Sequence, residues 1–228
     1  MRRLAAAALS AALLLGACGD DGGDEAIPPA DPLPDAEDLP THGGGAEPEA
    51  GDVEVPEIPG TTPAPFPSLG FGIAIPQGWN ATRLLEGDLE RLADAELAEP
   101  FFRDAAEATA ATGALFYAAG IDDEGRVAEI KVDRQEGTDV TTARGLAETA
   151  LAETAATDVN VVQAEDGRVR IDFRLSQPAA DDGEPIDAYV SQLLVPDGED
   201  VWSIIVTSED ATTQDAVLGI VDAGFVLA

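Results

Sequence analysis

One histidine, one cysteine and one lysine are the whole supply, in 228 residues, of three side chains on which catalysis and metal binding most often rest. The histidine, His42, lies in a stretch of Pro, Gly, Asp and Glu without hydrophobic periodicity. Imidazole catalysis needs a ring fixed in a scaffold, so Ser-His-Asp and Cys-His centres are excluded. Zinc sites built from cysteine and histidine fall with them. No Walker loop and no dinucleotide-binding glycine pattern is present, and the sequence implies neither cofactor nor metal. Positive charge is also scarce. Twelve Lys and Arg face 45 Asp and Glu, a net charge of −33. Such a chain is repelled by nucleic acid and by bare anionic membranes, so no nucleic-acid partner is expected. The acidity implies a solubility surface, or adaptation to salt that screens self-repulsion.

What is there begins with a positive Met1-Arg2-Arg3, an uncharged Ala/Leu run from Leu4 to Leu15, and the small residues Gly16 and Ala17 before Cys18. This is the layout of a secretory signal, and the run is too short to cross a bilayer as a helix. An ordinary signal peptide cut near Ala17, leaving an unused thiol, is one reading. The other is that Leu15-Gly16-Ala17-Cys18 resembles the lipobox of bacterial lipoproteins. That resemblance implies cleavage after residue 17 and a diacylglycerol (palmitate-type chains) on the Cys18 thiol. It places the protein on the extracytoplasmic face of the cell membrane. Two acyl chains hold stably where one is marginal.

Residues 18–65 are rich in Pro, Gly, Asp and Glu and contain no Lys, Arg or aromatic. Such a segment cannot bury enough apolar surface to offset its ordering entropy, so a disordered acidic tether is expected. Stiffened by proline and extended by like charges, it could reach on the order of 100 Å.

From residue 66 to 228 hydrophobic periodicity returns, over a length suited to one domain. FGIAI places Phe71, Ile73 and Ile75 on one face of a strand. Asp88 is positioned to cap a short helix with Leu89, Leu92 and Ala93. A second helix from Pro100 turns Phe101, Phe102, Ala105, Ala106 and Thr109 inward. ALFYAAGI and RVAEIKVDR read as strands. Residues 140–156 read as a helix with Leu146, Ala147, Ala150, Leu151 and Thr154 on one face. VNVVQA and RVRIDFRLS form a hairpin with Val169, Ile171, Phe173 and Leu175 toward the core. IDAYVSQLLV and DVWSIIVTS follow. A last helix opens at Thr212 with Asp215 as a capping-box acid and Val217, Leu218, Val221 and Phe225 as its apolar stripe. Runs of consecutive strands argue for an α+β fold, an antiparallel sheet with helices packed on it.

The strand ending IPQGW resembles the signature of PsbP-like domains, and VWSIIVTSEDATTQDAVLGIVDAGFVLA is similar to their closing strand, capped helix and final Phe. A lipobox, Pro-rich tether and such a domain together resemble actinobacterial lipoproteins of the LpqN type. The resemblance implies an α-β-α sandwich with helices on both faces and a binding or accessory role without conserved enzymatic activity. It transfers no functional residue. Trp79 and Trp202 match its pattern and are expected in or near the core.

Three site candidates remain. Asp122-Asp123-Glu124-Gly125 and Asp181-Asp182-Gly183-Glu184 are oxygen-rich turns without EF-hand spacing, and they read as solvated turns. Arg168, Arg170 and Arg174 share one face of a strand with Asp172 between them, among only ten basic residues after the signal. Outward guanidinium groups can grip carboxylate or phosphate, so this row is a candidate anion or partner strip; pairing with acids such as Asp187 or Glu129 is the plainer alternative. Phe101, Phe102, Phe116 and Tyr117 could line a groove for an apolar ligand. The expectation is therefore a lipid-anchored envelope protein with a non-catalytic binding domain. A lipid carrier comes second, and a hydrolase using carboxylates alone third.

Overall fold

Ten strands and four helices follow one another along the described residues, 53–94, 100–121, 125–177 and 186–228, of a computed structural model. The strands are β1 Thr61–Phe66, β2 Phe71–Pro76, β3 Asn80–Arg83, β4 Phe116–Ile121, β5 Val127–Gln135, β6 Thr157–Gln163, β7 Val169–Gln177, β8 Ile186–Asp197, β9 Asp200–Ser208 and β10 Val226–Leu227. The helices are α1 Glu86–Asp94, α2 Pro100–Ala110, α3 Val140–Glu153 and α4 Ala211–Gly224. Seven strands form one antiparallel sheet in the order β3-β4-β5-β9-β8-β7-β6, and β1-β2-β10 form a small second sheet.

Side-chain alternation explains the layers. On one face of the large sheet Phe116, Ile130, Val132, Leu193, Trp202, Ile204 and Val206 make a continuous apolar surface. It is covered by Phe71, Ile73 and Ile75 of β2 and by Val217, Leu218, Val221 and Phe225 of α4 and its end. On the other face Val169, Ile171, Phe173, Val190, Leu194 and Ile205 receive Ala143 and Leu151 of α3. Phe102 and Ala106 of α2 pack on Tyr117 and Ala119 of β4, beside Leu89 and Leu92 of α1. The fold is α+β, with helices on both faces of an antiparallel sheet. Trp202 is fully buried and its indole N–H donates to Asp197 at 3.1 Å. Trp79 packs partly buried against the core, so close to Gly120 that a Cβ there would stand 2.3 Å from the indole nitrogen.

Several local expectations are corrected. Ordered packing begins well before residue 66. Val53 and Val55 are buried with Ile58 against Ala74 on the outer face of β2, and β1 pairs along β2 from Thr61. A Cβ on Gly72 would stand 2.5 Å from Val55, so the segment rests directly on the strand backbone. The tether expected to end at 65 therefore contributes its last residues to the fold, and 18–52 lie outside the described residues. Asp88 is inside α1, not before it, and its carboxylate pairs with Arg83 at 2.9 Å and with Arg91. Leu146 is exposed, because α3 turns only Ala143 and Leu151 fully inward. The cap of α4 is Asp210, which accepts from the Thr213 backbone N–H at 2.8 Å; Thr212 lies inside the helix.

Candidate functional site

The residue rows of the large sheet run across its strands. One row reads Val162, Arg170, Leu193, Ile204, Val132 and Phe116 from β6 to β4. Its members from Leu193 to Phe116 lie beneath α4 and β2. Its outer members, on β6 and β7, extend past the flank of α4 and stay open. The result is a groove of about 420 Å³ between α4 and the β6–β7 edge. Arg168, Arg170, Val162 and Leu193 line the sheet side, and Asp215, Leu218, Gly219 and Asp222 line the helix side.

Arg170 and Arg174 of β7 and Arg168 just before it share that face, but they are not equivalent. Arg168 Nε meets Asp166 at 3.0 Å, and its Nη1 donates to both the carboxylate and the backbone carbonyl of Asp222. It is a strut from β7 to the last turn of α4, where the helix dipole favours a cation. Arg174 pairs with Asp158 at 3.3 Å and Asp187 at 3.7 Å, outside the groove. Arg170 engages Asp172 through Nε at 3.0 Å. Asp172 is in turn held by Ser191, which donates at 2.5 Å, and by Asn160. Ser191 accepts from Gln214 of α4. This chain of side chains orients the guanidinium while leaving its terminal nitrogens without a partner among the described residues. The row is thus no uniform anion strip, because Arg168 and Arg174 are engaged by acids.

The aromatic groove does not form. Phe116 and Tyr117 are neighbours on β4, so they point to opposite faces and join different cores. Phe101 and Phe102 border a hollow of about 130 Å³ with Gly78, Asn80, Ala119, Gly120 and Ile121, below the ~300 Å³ at which small-molecule pockets start. The core claimed the other rings. Leu15, Gly16, Ala17, Cys18, His42 and the acidic residues 122–124 and 181–184 lie outside the described residues.

A second polar cluster had no signal in spacing or composition. Lys131, the chain's one lysine, is buried on β5 with Glu129, their charged atoms 3.6 Å apart. Tyr117 donates to Glu129 at 2.6 Å. Burial and the adjacent Glu129 carboxylate push the Tyr117 hydroxyl far above the ordinary tyrosine range, so it stays protonated and a donor. Further along β5, burial raises the Asp133 carboxyl to about 6. The cluster lies between the part of the sheet covered by α1 and α2 and the part covered by α3. Among the described residues no group of His, Cys, Asp and Glu is placed to hold a metal ion. No described helix is long and apolar enough to cross a membrane.

No family model and no curated protein matches the chain. Among solved structures it is similar to the solution structure of cyanobacterial PsbP (CyanoP) from Synechocystis sp. PCC 6803. The identity is 10%, the match covers 75% of this chain and 95% of that chain, and the TM-score is 0.41. At that score the likeness decides nothing on its own, and the α+β assignment stands on the strands and helices themselves.

Proposed function

We propose that this is a lipid-anchored envelope protein whose folded part binds a partner or small ligand, without catalysis, in the groove between α4 and β7. The observation that carries the reading is Arg170, a guanidinium oriented from behind by Asp172, Ser191 and Gln214, whose terminal nitrogens stand at a groove wall without a partner among the described residues. A surface ion pair needs no such backing, whereas a recognition group benefits from being fixed before its ligand arrives. Anchoring rests on Cys18 in the Leu-Gly-Ala-Cys setting.

The two parts are tested separately. Expressed whole in a bacterium that processes lipoproteins, the chain should fractionate with membranes. The N-terminal peptide of the mature protein should begin at Cys18 and carry diacylglycerol. Cys18→Ser should release the protein to the soluble fraction, and an unchanged membrane fraction would refute the anchor. For binding, the acylated chain is used to capture partners from envelope extract, and Arg170→Glu should abolish capture with the melting temperature unchanged. Capture that survives Arg170→Glu would remove the groove from the reading. Turnover of a glycoside or ester by the pure chain would restore the hydrolase instead.

A further inference from the structure

Resting on the groove as the binding site, we infer that it takes a small zwitterion of amino-acid or dipeptide size, with the ligand carboxylate on Arg170 and the ligand ammonium on Asp215. The charges of the groove point this way when each is followed to its partner. Arg168 pairs with Asp166 through Nε and with Asp222 through Nη1, so these three charges offset one another. Two charged groups lining the groove lie outside that pairing. One is the free end of Arg170 on β7. The other is Asp215 on the facing wall, exposed and without an ion pair or hydrogen bond among the described residues. A simple anion placed on Arg170 would share the groove with the Asp215 carboxylate. A simple cation on Asp215 would share it with the guanidinium. A ligand carrying both signs satisfies both walls, and terminal guanidinium nitrogens match a carboxylate bidentately.

The groove around the two charges suits the rest of such a molecule. Leu193 and Leu218 form an apolar floor, and Val162 is an exposed apolar side chain on the sheet wall. Gly219 faces the groove from the middle of α4, where a Cβ would meet no atom within 4 Å. Packing inside this chain therefore does not require glycine there, although glycine in a helix interior is destabilising relative to alanine. Its missing side chain widens the groove and brings the helix backbone to its surface. At about 420 Å³ the groove is near the lower end of small-molecule sites, ~300–1,000 Å³, which suits one or two residues rather than a folded partner.

The probes are L-leucine, leucyl-leucine, N-acetyl-leucine and leucinamide, titrated into the full detergent-solubilised chain with saturation-transfer NMR as readout. Leucine or the dipeptide should bind at least tenfold more tightly than N-acetyl-leucine, which lacks the ammonium, and leucinamide, which lacks the carboxylate. Whichever of the first two binds more tightly sets the size of the ligand. Arg170→Gln should weaken the zwitterion tenfold and leave leucinamide unchanged. Asp215→Asn should weaken it and leave N-acetyl-leucine unchanged. Gly219→Trp should block all four with an unchanged melting temperature. N-acetyl-leucine binding as tightly as leucine would overturn the inference in favour of a plain anion site. Silence from all four probes, with envelope capture still sensitive to Arg170→Glu, would also overturn it while leaving the groove as binding site. Capture insensitive to both Arg170→Glu and Gly219→Trp would remove the groove itself.

Discussion

RVAEIKVDR and RVRIDFRLS are nearly the same pattern, yet the protein treats their charged faces in opposite ways. On β5 the charged positions Glu129 and Lys131 are sealed, 3% and 7% exposed, and Tyr117 donates to one of the two Glu129 oxygens. On β7 and just ahead of it the charged positions stay at the surface, where Arg168 and Arg174 meet acids of neighbouring segments and Arg170 meets Asp172 of its own strand. The side chains do not cause this difference; strand position does. β5 lies inside the sheet between β4 and β9, with cover on both faces. β7 is one strand from the edge, past the flank of α4. Alternation states which side chains share a face and is silent on what covers it.

The sharpest way to break the comparison is to remove one member of the β5 pair. Lys131→Met leaves Glu129 charged and buried, and by chemical denaturation it should cost about 3–5 kcal/mol. Adding Glu129→Gln should recover most of that, because the unpaired charge is then gone while Tyr117 keeps an acceptor. A small loss in the single variant would mean that water reaches this cluster. The middle case is Asp133, at the less enclosed end of the same face. Its folded-state value of about 6 lies above the ordinary 3.8, so the folded chain holds the proton more tightly and its stability falls as pH rises from about 4 to about 6. Asp133→Asn keeps an acceptor for the Arg134 N–H and should add about 1–2 kcal/mol at pH 7.5, allowing for partial solvation, and nothing at pH 3.5. A pH-independent gain would refute the burial argument. The smallest effect belongs to β7. Arg174→Ala, which breaks two exposed pairs, should change stability by less than about 1 kcal/mol, and less still in 1 M salt.

Much of the architecture was legible because the strands that build the large sheet are amphipathic or wholly apolar. Val169, Ile171, Phe173 and Leu175 face the core as their period demands. The arginine row could be placed on a common face from sequence, but its partition could not. Asp222 lies 54 positions from Arg168, and only the docking of α4 brings them together. Asp215 read as a helix-cap acid, whereas the cap is Asp210 and Asp215 becomes a groove wall. β1 was hidden by its prolines. Pro63 and Pro65 face Ala74 and Gly72 from the edge of the small sheet, the setting in which a strand tolerates residues without an N–H. A chain beginning at Phe66 therefore lacks β1 and the Val53–Val55 cover. It should melt at least ~5 °C below one beginning at Val53, and equal melting temperatures would make that segment dispensable.

The same segment has a mechanical meaning. A load drawn through the N-terminus reaches Val53, Val55 and Ile58 first, then β1, whose ladder with β2 opens from Thr61 one residue at a time. Antiparallel strands pulled from one end peel like a zipper instead of shearing together, so they yield at low force and in sequence. The large sheet, to which β1 is not hydrogen-bonded, stays out of that path. Under tension the molecule would lengthen by paying out its own first strand, a built-in slack that spares the groove until the reserve is spent.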